Sequence, residues 1–413
     1  MDGLLTPAHH VPRLRRTDIP AAGSRRASSA GTVLRAVLDH GPVARSTVAR
    51  LTGLSPASVT VQCTQLIAGG LVREAPEAAG PKSVGRPHVP VDIDTGRHLV
   101  CGVHIAVSHT TLALLDLRGR IIAEDRQPLA GSRPSEALRR MADRLPGLLA
   151  GHGGGRPLLG LGVATGGRVD SDSGVITEHP LLGWRDVPAR ELLATATGLP
   201  VYVDGHARAL VRAEQLFGEA RSRASVVQLF VGNVVDAAFA TSGAVHHGPR
   251  FAAGTVAHLP VEESRERCSC GRIGCLQAAV SEQTIVRRAV EQGVITTPSM
   301  ADLLTAAQGG NAGAVEMFRE RARLVGRAAA LLLDVLDPEV LVVVEPGASR
   351  LPQCLAELRA EVKARSWVCE DPERTVLTSS FASGVLPTAG GAVVLDPLYA
   401  DPTGMSPRLS EVS

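Results

Sequence analysis

The chain has 413 residues, 44% hydrophobic and 20% charged, which is apolar material for two or three folded domains and excludes a wholly disordered protein. Aromatic residues make up only 2%, too few for a base-stacking platform, and the longest apolar stretch, Ala328 to Val344, is broken by Asp334, Asp337 and Pro338, which argues against a membrane span. The net charge of +2 conceals an asymmetry: residues 1–90 hold 11 Lys/Arg against 5 Asp/Glu, whereas the remaining 323 are acidic by four, so a basic head on an acidic body points to a polyanionic partner.

Residues 1–28 are rich in Pro, Ala, Arg and Ser without periodicity and read as a mobile basic arm; lacking an apolar block, they are not a secretory signal. From Ser29 the pattern turns helical. Val33, Leu34, Val37 and Leu38 form one stripe closed by Gly41-Pro42. A short second helix runs from about Ser46 to Thr52 and stops at Gly53. A third opens at Ser55-Pro56, where the serine can cap and the proline suits the first helical position. Val59, Cys63, Leu66 and Ile67 supply its buried face, and Gly69-Gly70 ends it. Leu71 to Glu74, a turn-rich stretch from Pro76 to Pro87, and the alternating Val89 to Ile93 read as a hairpin with a long tip.

Three helices and a hairpin over residues 29–92 are the plan of a winged helix-turn-helix. The third helix offers Ser55, Ala57, Ser58, Thr60, Val61 and Gln62 to a major groove, small and polar enough to reach base edges and thymine methyls. Lys82 and Arg86, the latter held by Gly85-Arg86-Pro87, suit a narrow minor groove. The expected partner is double-stranded operator DNA.

Beyond residue 98 strands and helices alternate as in a mixed α/β body. Strands are predicted at 99–107, 111–117, 120–126, 158–164, 200–204, 225–231, 235–241 and 339–344. Helices are predicted at 135–150, 188–197, 207–217, 281–292, 313–336 and 351–365. The strand-rich stretches near 99–126 and 225–245 read as related halves. Within the body, Cys268, Cys270 and Cys275 fall inside eight residues, with glycines that turn the backbone, and His258 lies ten residues upstream. Three thiols and an imidazole complete a Zn²⁺ tetrahedron with no open position, so one structural zinc per chain is expected. Seven cysteines, an odd number, suit a reducing, cytoplasmic compartment better than a disulfide framework.

The stretch Cys268-Ser269-Cys270-Gly271-Arg272-Ile273-Gly274-Cys275, with His258, resembles the zinc motif of the ROK family, which joins transcriptional repressors and sugar kinases on one two-lobed, actin-like (ribonuclease H-like) fold. The resemblance implies an α/β ROK domain over residues 93–397, with the zinc in its second lobe and a tail from 398 to 413. It implies a homodimer or homotetramer, and a repressor whose body dimerises and senses a small molecule, a sugar or sugar derivative. The alternative is a ROK-type sugar kinase. The kinases hold phosphate with an Asp-x-Gly-Gly-Thr turn, and His104-Ile105-Ala106-Val107-Ser108 stands there; their second, glycine-rich turn is replaced by Gly232-Asn233-Val234-Val235-Asp236-Ala237-Ala238. Side chains would fill the space phosphate needs. Gly205-His206 replaces the catalytic Asn-Asp pair, so no enzymatic activity is expected. By the same resemblance, Thr165, Gly166, Gly205, His206, Thr255, His258 and Gln277 mark a candidate effector pocket.

Overall fold

The computed structural model describes residues 27–78, 89–129, 133–381 and 384–403. The basic arm through residue 26 and the hairpin tip with Lys82 and Arg86 lie outside the described residues.

The head contains α1 (Ser29–His40), α2 (Arg45–Thr52) and α3 (Pro56–Ala68), followed by β1 (Val72–Glu74) and β2 (Val91–Ile93). The capping expected from the sequence is present: Ser55 accepts the Ser58 N–H at 3.2 Å, and Gly53 ends α2 in the left-handed region. β1 and β2 pair antiparallel, with Val72 opposite Ile93. Val59, Cys63 and Leu66 are buried as predicted, whereas Ile67 is only half-buried.

The body carries β3 (Leu99–Ile105), β4 (His109–Leu115), β5 (Ile121–Pro128), α4 (Pro134–His152), β6 (Leu158–Thr165), β7 (Arg168–Asp170), β8 (Val175–His179), β9 (Trp184–Val187), α5 (Ala189–Thr197), β10 (Val201–Gly205) and α6 (His206–Phe217). Its second half carries β11 (Val226–Val231), β12 (Val235–Thr241), β13 (Ala244–Val245), α7 (Leu276–Val280), α8 (Glu282–Glu291), α9 (Met300–Gln308), α10 (Ala312–Leu336), β14 (Val340–Val344), α11 (Pro346–Arg350), α12 (Pro352–Arg365), α13 (Pro372–Thr375), β15 (Val376–Thr378) and α14 (Val385–Ala400).

Two five-stranded sheets repeat one plan. The first has the order β10-β6-β3-β4-β5 and the second β15-β14-β11-β12-β13. In each, the first three strands run parallel and the last two add antiparallel. The related halves read from the sequence are these two lobes. β3 and β11 are buried along their whole length because helices cover both faces, which is why they read as continuous apolar runs.

α6 and α14 pack on each other between the lobes. α14 is absent from the sequence-predicted helices. It is buried on all sides from Pro387 to Leu395, so no amphipathic period marks it, and it contains Gly390-Gly391 and Pro397. Those glycines are needed for close approach: a Cβ on Gly162 would sit 2.0 Å from the Gly390 carbonyl oxygen, and one on Gly102 2.2 Å from that of Pro387. α14 also runs three residues into the segment expected to be a tail. Its last turn explains this, since Leu398 and Tyr399 are buried in the apolar cluster that α1 shares with Leu117.

The head is therefore built onto the body rather than tethered to it. Val33, Leu34 and Val37 pack in the same cluster as Leu395 and Leu398. The Ala400 carbonyl accepts the Ser28 N–H at 3.0 Å. Arg35 donates to the Gln215 carbonyl at the end of α6, Arg118 pairs with Asp92, and Arg223 pairs with Asp39 at 2.9 Å.

Candidate functional site

The Cys-rich loop lies between β13 and α7. Gly271 and Gly274 adopt φ of +88° and +76°, which turns the chain twice within four residues. A Cβ on Gly274 would stand 2.9 Å from the Val261 carbonyl oxygen, so this crossing needs glycine. The Cys268 N–H donates to the Arg272 carbonyl at 2.8 Å, and Cys275 opens α7 as its cap residue. These turns bring the ligating atoms of His258, Cys268, Cys270 and Cys275 within 4.8 Å of one another. His258 Nδ1 stands 3.7 Å from Cys268 Sγ, and Cys270 Sγ stands 3.7 Å from Cys275 Sγ. A tetrahedron with metal–sulfur bonds of about 2.3 Å has edges of about 3.8 Å, so the four groups are spaced to hold a metal ion. Hydrogen bonds from Arg272 hold the Cys270 thiol down at about 6, whereas burial pushes Cys275 up to about 11.

A cleft of about 1170 Å³ separates the lobes. The first lobe lines it with Ala106-Val107-Ser108, Gly166, Arg126 and four histidines: His104, His109, His179 and His206. The second lobe contributes Gly232-Asn233-Val234 and α8. Val234 reaches across: its Cγ2 lies 3.0 Å from where a Cβ on Gly166 would be. His206 is 3% exposed, its ring lies 4.2 Å from that of Phe230, and neither ring nitrogen has a hydrogen-bond partner among the described residues. Burial drives every cleft imidazole toward its neutral form, to about 3 for His206 and about 4 for His109 and His179, with His104 also well below the usual range.

The candidate effector residues divide. Gly166 and His206 line the cleft. Thr165 and Gly205 pair side by side at the ends of β6 and β10, with the Thr165 hydroxyl donating to the Ile105 carbonyl at 3.2 Å. Gln277 is withdrawn from any ligand: its Oε1 accepts the Val235 N–H at 2.7 Å and its Nε2 donates to the Asn233 carbonyl. A neutral amide can satisfy a donor and an acceptor of the same turn, which a carboxylate cannot. Thr255 is exposed and donates to the Ala252 carbonyl at 2.9 Å, outside the cleft lining, and His258 belongs to the cysteine cluster. Sequence reasoning misses His109, His179 and Arg126 as a group, because separate elements bring them together.

On α3, Ala57, Thr60 and Val61 are exposed together with Ser55 at the cap, Val61 by 52%, while Ser58 and Gln62 are half-buried. Thr64 and Gln65 extend the same exposed face, and the i, i+3, i+4 spacing from Ala57 was the signal that marks them.

The chain belongs to the ROK family, whose model, described as "ROK family", matches residues 100–392. Transcriptional regulator Rv0485 of Mycobacterium tuberculosis (strain ATCC 25618 / H37Rv) is 33% identical over 409 residues, 96% of this chain and 91% of that one. The DNA-binding transcriptional repressor Mlc of Escherichia coli (strain K12) is 26% identical over 383 residues, 90% of this chain and 94% of that one. The fold matches the crystal structure of a ROK family transcriptional regulator, a homolog of E. coli MLC protein, with a TM-score of 0.75 at 22% identity, covering 90% of this chain and 96% of that one.

Proposed function

We propose that the protein is a DNA-binding transcriptional repressor whose ROK body performs no phosphoryl transfer and serves to dimerise and to sense a small molecule. The observation that carries the reading is the capped α3 with its face of small and polar side chains, Ala57, Thr60, Val61, Thr64 and Gln65, followed by the antiparallel pair β1 and β2. The likeness to Mlc, a repressor, supports it. The absence of kinase chemistry is supported by Val107 and Val234 in the two turns where kinases use glycine, and by His206 in place of the catalytic carboxylate. His258, Cys268, Cys270 and Cys275 would hold one zinc, and four protein ligands leave it structural.

Two helices link the cleft to the head. α6 begins at His206 in the cleft and ends where the Gln215 carbonyl accepts from Arg35. α14 begins beside Leu386 of the cleft and ends at the Ala400 carbonyl held by Ser28. A ligand that favours one spacing of the lobes thereby favours one placement of the heads, and one that binds both placements equally changes nothing. A dimer would read two half-sites separated by one helical turn or a multiple of it. The test is a map of the genomic sites bound by the full chain, followed by gel-shift titration of the best site over a range of salt. A shared inverted repeat and a binding constant that falls steeply with salt are expected; sequence-blind binding with no salt slope would reject the reading.

A further inference from the structure

The cleft histidines carry an inference about what the sensor takes, which rests on the cleft being the effector site of the regulator. His206 is 3% exposed and both its nitrogens lack a partner among the described residues, a costly state in a folded interior unless something else supplies the bond. His179 faces the same point. The place a Cβ on Gly166 would occupy lies 3.2 Å from His179 Nε2 and 3.4 Å from His206 Cε1, with Val234 Cγ2 at 3.0 Å, so the two rings edge one point of the cleft wall that only glycine leaves unfilled.

The protonation of His179 decides what can sit against this wall. The Leu182 N–H donates to His179 Nδ1 at 3.3 Å, so Nδ1 is the acceptor and Nε2 carries the hydrogen. His109 is fixed in the same sense, since its Nδ1 accepts from Arg126 at 3.2 Å. A ring nitrogen that carries hydrogen donates to oxygen and cannot ligate a metal, and a metal-binding imidazole has its other nitrogen donating rather than accepting. The cleft is therefore wired to meet an acceptor.

The surrounding charges give the sign. Arg126 makes no salt bridge among the described residues, and Glu282 of the second lobe lies within electrostatic reach of it. α6 begins at His206 with no side-chain cap, so the positive end of its dipole opens here. Arg208 lies close enough to influence His206, though its own hydrogen bonds go to Asp204 and to backbone carbonyls. Opposing them from the second lobe are Glu282 and Glu291, with Arg287 between them on α8, and Asp236 on β12. Burial pushes the Glu282 carboxyl up and takes that of Asp236 up to about 7, so their negative charge weakens toward the acid end of the range, and Glu291 is paired with Arg287.

We propose that the cleft binds a small metabolite through an anionic oxygen group, carboxylate or phosphate, received at the wall formed by His179 Nε2–H, His206 and Gly166. An anion seated there favours the imidazolium form, so binding draws in a proton. The test is calorimetry on the full-length, metal-loaded protein with acetate, sulfate and glucose at pH 6 and pH 8, in two buffers of different ionisation enthalpy. Acetate and sulfate keep their charge over that range and stand for the carboxylate and phosphate sources. We expect one of them to bind with net proton uptake, about tenfold more tightly per pH unit on acidification at most. His206→Gln and Gly166→Ala, checked for folding by thermal melting, should each lose that heat. Binding of glucose alone would overturn the proposal, as would Ni²⁺ uptake beyond the zinc that His206→Gln abolishes. Anion binding untouched by either variant, or no heat from any probe at millimolar concentration, would also overturn it. Operator binding is measured separately: a protein that binds its operator but no anion retains the repressor assignment and loses only this ligand class.

Discussion

The cysteine knot and the interlobe cleft are built from the same stock of soft and basic side chains, yet they differ in how those side chains meet. In the knot, one short segment folds on itself and four ligating atoms converge within 4.8 Å. In the cleft, imidazoles from β3, β4, β8 and α6 stay apart, with ring centroids 6.1 Å between His104 and His109 and 6.3 Å between His104 and His206. Convergence lets a cation neutralise its own ligands, so the knot can be finished and closed. Separation with hydrogens already assigned leaves donors waiting, so the cleft is an open, energetically unfinished site. The comparison breaks first at the knot. Cys275→Ser removes a buried ligand, and zinc binding in small domains is worth about 10 kcal/mol or more of folding energy. We expect loss of bound metal by elemental analysis, from about one equivalent per chain, and insoluble or heat-labile protein. A variant that melted like the parent would show that the knot stands without metal.

The cleft should fail under a different stress. His206 and His179 are buried with their titration pushed down to about 3 and about 4. An unfolded chain protonates them near 6.5, so between pH 6.5 and 4 the unfolded state binds more protons and stability falls as pH falls. Each buried imidazole contributes on the order of 2 kcal/mol to that loss by pH 5. Above pH 6.5 the contribution is constant. His206→Phe, which keeps a ring against Phe230 but cannot titrate, should flatten the dependence of unfolding free energy on pH by about one proton. An unchanged slope would mean that His206 is not held neutral in the folded chain.

The same contrast explains what the sequence made legible. The knot is local: four ligands lie between residues 258 and 275, and chemistry names the metal once their spacing is read. α3 is local too, because Ser55, Pro56 and the apolar stripe each have a helix-specific reason to be there. The cleft is not local. His104 reads in sequence only as a lost aspartate, His179 falls in no predicted element, and nothing in their spacing brings them to Gly166. α14 escapes for the opposite reason, since burial on every side erases the period that reveals a helix, and its glycines look like loop residues until Gly102 and Gly162 are seen against them. Gln277 was legible as a residue at a family position but not as a clamp, because its partners Asn233 and Val235 lie some forty residues away.

Gln277 also joins the two regions, following the last knot cysteine by two residues and holding the turn that lines the cleft. Gln277→Ala should therefore leave metal content intact while stranding the Val235 N–H, at a cost of about 1–3 kcal/mol. Hydrogen exchange at residues 233–235 is expected to quicken selectively. Uniform exchange across the second lobe would instead mean that the amide is a global strut.

Arg287 offers the gentlest probe, since it touches both regions from outside. It reaches Glu266 of the knot loop at 2.7 Å and Glu291 on its own helix at 2.8 Å, and it also lines the cleft. All three side chains are substantially exposed, so water and salt screen the charges and ordering three long chains offsets much of the attraction. Arg287→Ala should shift the unfolding free energy by less than about 1 kcal/mol, with the difference shrinking further as salt is raised. It should also leave bound metal unchanged, because the knot's own turns, and not this ion pair, bring its ligands together. A loss above about 2 kcal/mol, or release of metal, would mean that the knot depends on the cleft helix for its shape, and the two regions would then have to be treated as one site.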